Sequence, residues 1–183
     1  MAADRRARQL ERERRVREHW SPRGPRPAGP GDDPSLAPGP GETLDRLNGH
    51  WRIFQLERGH RYSTDDVLCA AYGVRWAGPA VRSIVDLGSG IGSVGLIALW
   101  CYPEASLLGI EIQPLSWSLA CRSLRYNGLA ERAQALLGDL RDISLLGGRR
   151  FDLVLGSPPY LPPGSGVVSE RPQCRSEERR VGK

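Results

Sequence analysis

The stretch from Ser83 to Leu99, SIVDLGSGIGSVGLIAL, constrains the fold more than any other part of the chain. Ile84 and Val85 belong to a short apolar run of strand character. Gly88, Gly90 and Gly92 then stop that run within five residues, and Val94 to Leu99 is an apolar block of helical length. A strand that passes through a glycine turn into a helix is the first half of a βαβ unit. The chain continues in the same alternation, with strands predicted at Ser83–Leu87, Ser106–Glu111, Ala133–Leu137 and Phe151–Leu155 and helices at Ser93–Trp100 and Pro114–Tyr126. Pro114 suits a first helical turn and Asn127-Gly128 a helix end, with Trp117, Ala120, Cys121 and Leu124 expected on the buried face. Upstream, Leu47–Leu56 reads as a hairpin edge, and Ser63 as the N-cap of a helix with Asp65 and Asp66 in its first turn. Such alternation specifies an α/β, Rossmann-like, doubly wound parallel sheet.

A doubly wound sheet binds ligands at the carboxyl ends of its strands, where the strand order reverses. Asp86 ends the first parallel strand, and Gly88, Gly90 and Gly92 let the backbone approach a ligand at the start of the following helix. Glu111 ends the next strand, about 20 residues on, where a carboxylate can accept both hydroxyls of a ribose. Asp139, beyond the third strand, is placed to accept from an adenine amino group. Gly90, Gly92 and Gly95 also satisfy G-x-G-x-x-G, which keeps a dinucleotide reading open. Against it stand Asp86, an acid that nicotinamide sites usually lack at this turn, and the segment after the fourth strand.

That segment is SPPY, Ser157 to Tyr160. Pro158 and Pro159 have no N–H to give a ladder and force an extended rod out of the sheet. The rod offers carbonyl acceptors, with the Ser157 hydroxyl on one side and the Tyr160 ring on the other. Together they could hold a planar amino group by its hydrogens and stack on its ring.

The chain has 183 residues, 39% of them hydrophobic, enough for one domain with a core. The net charge of +5 lies wholly in residues 1–27, where nine arginines face four acids. Residues 1–42, basic and then rich in proline and glycine, are expected to form a disordered arm and linker, with the folded domain spanning 43–174. An arm of this kind can grip phosphates. The four cysteines form no C-x-x-C pair, so no metal site is expected. Neither a membrane span nor a signal peptide is visible, and a cytoplasmic monomer without membrane contact is expected. Lys183 is the only lysine beside 25 arginines, and Arg175–Lys183 resembles the translation of a sequencing adapter. Residues 175–183 are therefore expected to be a non-native tail on a domain truncated after its fourth parallel strand.

With these residues in place, the chain resembles the class I S-adenosylmethionine-dependent methyltransferases that carry an [N/D/S]-P-P-Y motif. More narrowly, WRIFQLERGHRYSTDDVLCAAYG, VDLGSGIGSVGLIAL, GIEIQPLSWSLACRSLRYNGL and FDLVLGSPPYLPPGSG are similar to the bacterial tRNA (valine) adenine-N6-methyltransferase group, over roughly residues 47–173. The resemblance implies S-adenosylmethionine as cofactor, bound through Asp86, Gly88, Gly90, Gly92, Glu111 and Asp139. It implies acceptor binding by Ser157, Pro158, Pro159 and Tyr160, and an RNA partner, tRNA first. Ser157 departs from the asparagine usual in that group, and serine here is known among cytosine-N4 methyltransferases. Methylation of a protein glutamine amide uses the same device, and a non-catalytic or NAD-binding Rossmann module is the alternative from a different class.

Overall fold

A computed structural model describes residues 22–59 and 61–158. The basic part of the expected arm up to residue 21, Pro159, Tyr160 and the tail at 175–183 lie outside the described residues. A hairpin of β1 (Glu42–Arg46) and β2 (Arg52–Leu56) leads into α1 (Thr64–Ala77). Then follow β3 (Ser83–Leu87), α2 (Ser93–Cys101), β4 (Ser106–Glu111), α3 (Pro114–Tyr126), β5 (Ala133–Leu137) and β6 (Leu153–Leu155). Strands β3 to β6 form one parallel sheet in the order β5-β4-β3-β6. The order reverses at β3, so β3 and β6 are neighbours, with Asp86 opposite Leu155. This is the expected α/β architecture, with five of the six predicted parallel-sheet elements starting at the residue expected.

Alternation along the strands separates two apolar faces. Ile84, Leu107, Leu153 and Leu155 face a core built with Ala70 of α1, Val94 and Leu96–Leu99 of α2, and Leu119 and Leu124 of α3. The three α-helices among the described residues therefore cover one face. Val85, Leu108 and Ile110 point the other way, against Leu145, Leu146 and Phe151 around a 3-10 turn at Ile143–Leu146. On that side Val154 is 59% exposed. α2 is apolar all round because it lies in the middle of the helix layer, buried from Ser93 to Leu99.

The entry to α1 is fixed by its sequence. The Ser63 hydroxyl accepts from Asp65 N, and Asp66 reaches back to accept from Ser63 N at 2.9 Å, a reciprocal capping box. β2 rests on α3, whose polar side chains satisfy its backbone. Asn127 accepts from Arg52 N and donates to Arg52 O, and Ser123 Oγ accepts from Phe54 N. The Phe54 ring meets Tyr126 edge-on at 5.9 Å, and the Arg122 guanidinium lies over it at 4.1 Å.

Three expectations are corrected. Residues 22–41, expected as a free linker, lie along the body: Leu36 is buried, Gly29 N donates to Tyr126 O, and Arg122 bonds Ser35 O, Ala37 O and both oxygens of Glu42. The stretch docks through its backbone carbonyls, which a proline-rich composition leaves available. The buried face of α3 is Ser116, Leu119, Ala120, Ser123 and Leu124; Trp117 and Cys121 lie at its margin, and the Trp117 indole donates to Ala135 O. β6 begins at Leu153, because Asp152 turns its carboxylate onto Arg82 N, Ser83 N and Ser83 Oγ at the start of β3. Among the described residues no helix is long and apolar enough to cross a membrane.

Candidate functional site

The carboxyl ends of β3, β4 and β6 meet at one crevice. Gly88 N and Ser89 N both donate to Ile110 O, which pulls the loop over the end of β4. Gly88, Gly90 and Gly92 have φ of 72°, 56° and 87°, the left-handed region where a side chain is strained. A Cβ on Gly90 would meet nothing within 4 Å, so the loop backbone there borders open space.

Glu111 shapes this loop. Its Oε2 accepts from Gly90 N at 2.9 Å and its Oε1 from Gln113 N at 2.7 Å, while the side chain is buried. Both oxygens keep a further lone pair for hydroxyl donors. Asp86 is 1% exposed and accepts from Gly95 N at 2.9 Å. Its carboxyl is raised to about 7, first by burial and then by the negative charges of Asp66 and Glu111, with the Gly95 hydrogen bond acting against them. Gly95 is a glycine for want of room: a Cβ there would stand 3.0 Å from Asp86 Oδ2 and 2.9 Å from Leu107.

On the other side of the crevice, β6 delivers Gly156, half-buried Ser157 and exposed Pro158. A Cβ on Gly156 would come 3.2 Å from Leu87 O, so the segment leaves the sheet hard against β3. The Cys69 thiol of α1 donates to Gly156 O at 3.5 Å, and burial pushes that thiol up, keeping its proton. Gly73, one turn on, lies so close to β6 that a Cβ would stand 2.4 Å from Leu155 Cδ2.

Of the residues named from sequence, Asp86, Gly88, Gly90, Gly92, Glu111, Ser157 and Pro158 are gathered at this crevice. Asp139 stands beyond β5, at the far edge, with its carboxylate gripped by Arg141. Sequence reasoning missed Asp66, Cys69 and Ser89. Asp66 was read as a helix-dipole acid. The available signal was a second acid one turn ahead of the small-residue face Cys69, Ala70 and Gly73, where a helix packs closely.

A reversing parallel sheet, an open glycine loop at the switch point and an acid on each of β3 and β4 define a Rossmann-like nucleotide-site domain. Residues 75–167 match the family model described as the methyltransferase small domain, and the chain belongs to that family. It is 32% identical over 123 residues to a tRNA1(Val) (adenine(37)-N6)-methyltransferase of Porphyromonas gingivalis, covering 64% of this chain and 48% of that protein. It is 36% identical over 145 residues to a release factor glutamine methyltransferase of Rhodospirillum rubrum, covering 76% of this chain and 44% of that one. The chain thus spans about half the length of these curated relatives, or less. Among solved structures it is similar to P. horikoshii TYW2 in complex with MeSAdo, at 24% identity and TM-score 0.47, covering 57% of this chain and 39% of that one.

Proposed function

We propose that the protein is the cofactor-binding part of an S-adenosylmethionine-dependent N-methyltransferase whose acceptor is an exocyclic amine, adenine N6 of a tRNA. One observation carries the reading: the glycine loop after β3 and the Gly156-Ser157-Pro158 segment after β6 leave adjacent parallel strands, with Asp86 opposite Leu155. A methyl donor and an amine held at these two positions would face each other across one crevice.

The residues present fit the cofactor. The glycine backbone bordering open space suits its close approach, Glu111 suits ribose hydroxyls, and the buried acids beside Asp86 suit its cationic amino-acid end. When bound, S-adenosylmethionine supplies an electrophilic methyl on sulfur. The chain's own residues align the reactants and stabilise charge on the nitrogen. An exocyclic amine is a weak nucleophile because its lone pair is shared with the ring. The Ser157 hydroxyl and the Pro158 carbonyl would accept its two hydrogens and favour the tetrahedral form, whose lone pair is free. Tyr160 is assigned the stacking role on a base turned out of its helix. The arginine excess of residues 1–27 supports a nucleic-acid acceptor.

A glutamine amide is the second reading, favoured by the greater span of this chain that the release factor glutamine methyltransferase matches. Labelled S-adenosylmethionine offered with total tRNA, ribosomal RNA and release-factor protein separates the two. Label in tRNA that disappears in Tyr160→Ala, with cofactor affinity unchanged, supports the first. Label in protein alone overturns it. No label in any acceptor, from a chain that binds S-adenosylhomocysteine, limits the function of these 183 residues to binding.

A further inference from the structure

The docked stretch at residues 22–41 begins beside a groove that no described residue fills. Arg23 and Gly24 close on the β1-β2 turn and on α2: a Cβ on Gly49 would stand 2.2 Å from Arg23 O, and one on Gly24 would stand 2.4 Å from Trp100 Nε1. The turn itself is fixed, with Leu47 N donating to Trp51 O and Trp51 N to Asn48 O. Next to this contact a groove of about 500 Å³ opens between the turn, α1 and α2, lined by Leu47, Val67, Ala71, Val74, Ile97 and Cys101. Leu47 precedes Gly49 by two residues and Cys101 follows Trp100, so the groove continues the surface on which the stretch already lies.

These walls are mostly apolar, and Val67 is 41% exposed. Asn48 and Arg75 add two polar groups, which suit an indole N–H and the backbone of an entering segment. An open apolar concavity is the ordinary seat of a large apolar side chain. The sequence supplies one within reach. Trp20 precedes Pro22 by two residues, which holds its Cα within about 7 Å of Pro22. Val16 lies four residues further back, and these two are the apolar side chains nearest the docked stretch on its N-terminal side. A segment tied so closely to the groove reaches it at a higher effective concentration than any outside partner.

We propose that residues 16–20 of this chain dock in the groove between α1, α2 and the β1-β2 turn, with the Trp20 ring and the Val16 side chain against its apolar wall. The arginines upstream of Val16 are then tethered to the helix layer instead of trailing free, which fixes where the arm can meet a phosphate backbone. The docking does not depend on the methyltransferase reading.

The test is alkylation of the full chain by N-ethylmaleimide, read cysteine by cysteine by mass spectrometry. Cys101 lines the groove and is exposed to it, so a seated segment covers its thiol. Cys69, bonded to Gly156 O, reports on the folded body. In Trp20→Ala the Cys101 rate should rise about fivefold or more while the Cys69 rate stays unchanged. Ala71→Gln, which puts an amide into the groove from an exposed helix position, should raise the Cys101 rate in the same direction with residues 16–20 intact. Equal Cys101 rates in the parent and Trp20→Ala overturn the proposal, and so does a rise that Cys69 shares. Cys101 protection that grows with chain concentration assigns the groove to a second copy, and protection that appears only with added tRNA assigns it to nucleic acid. Either result overturns docking by the arm.

Discussion

Asp86 offers a test in which stability and binding move in opposite directions. Its carboxyl, ordinarily near 3.8, is raised to about 7, chiefly because burial disfavours the charge. A raised acid holds its proton more tightly in the folded state than in the unfolded one. Between about pH 4 and 7 the native state therefore binds more protons, and stability falls as pH rises through that window. The full penalty, reached above pH 7, is about 4 kcal/mol at roughly 1.4 kcal/mol per pH unit. Asp86→Asn removes the charge and keeps an acceptor for Gly95 N, at a cost of about 1 kcal/mol for an amide N–H2 without a partner. Relative to the parent, the variant should gain about 3 kcal/mol of stability on going from pH 5 to pH 8. Urea unfolding of both chains at several pH values reads this directly. S-adenosylhomocysteine binding should meanwhile weaken by about tenfold or more. A stability difference that stays flat from pH 5 to 8 would refute the argument, because Asp86 would then titrate alike in both states.

Three further outcomes are expected. Glu111→Ala frees Gly90 N and Gln113 N and should cost about 1 to 3 kcal/mol in stability and at least about tenfold in S-adenosylhomocysteine affinity, by denaturation and calorimetry. Gly73→Ala in mid-helix would ordinarily stabilise by up to about 1 kcal/mol, yet here it should destabilise by about 1 to 3 kcal/mol, since its Cβ would drive into Leu155; a raised melting temperature would contradict the close approach of α1 and β6. Arg122→Ala should cost about 2 to 4 kcal/mol and open residues 22–41 to limited proteolysis, and Arg122→Lys should recover less than half of that, because only the planar guanidinium reaches Glu42, Ser35 O and Ala37 O together.

Much of the fold was legible because its signals are local. The starts of β3, β4, α3 and β5 coincide with changes of apolar period or with Pro114, and Ser63 caps α1 as its sequence suggests. What was not legible depends on partners distant in the chain. No local pattern shows that Arg122 would collect the carbonyls of Ser35 and Ala37, so the proline-rich stretch reads as a linker when taken alone. Asp152 looks like part of a strand until Arg82 and Ser83, remote in sequence, present two N–H groups and a hydroxyl to it. The site divides in the same way. The glycine loop and the acid at the end of β3 are written in consecutive residues. Asp66 and Ser89 gain their meaning only when α1 and β4 are folded against β3.

The strand order also sets a timetable. From Ser83 to Leu137, neighbours in sequence are neighbours in the sheet, so the glycine loop, Asp86 and Glu111 can be assembled from segments leaving the ribosome in succession, with only short loops to close. β6 is made afterwards and must travel back past β4 and β5 to reach the free side of β3. During synthesis the acceptor-side residues thus join a crevice whose other half already exists, on an edge that α1 and Gly73 have been holding open for Leu155.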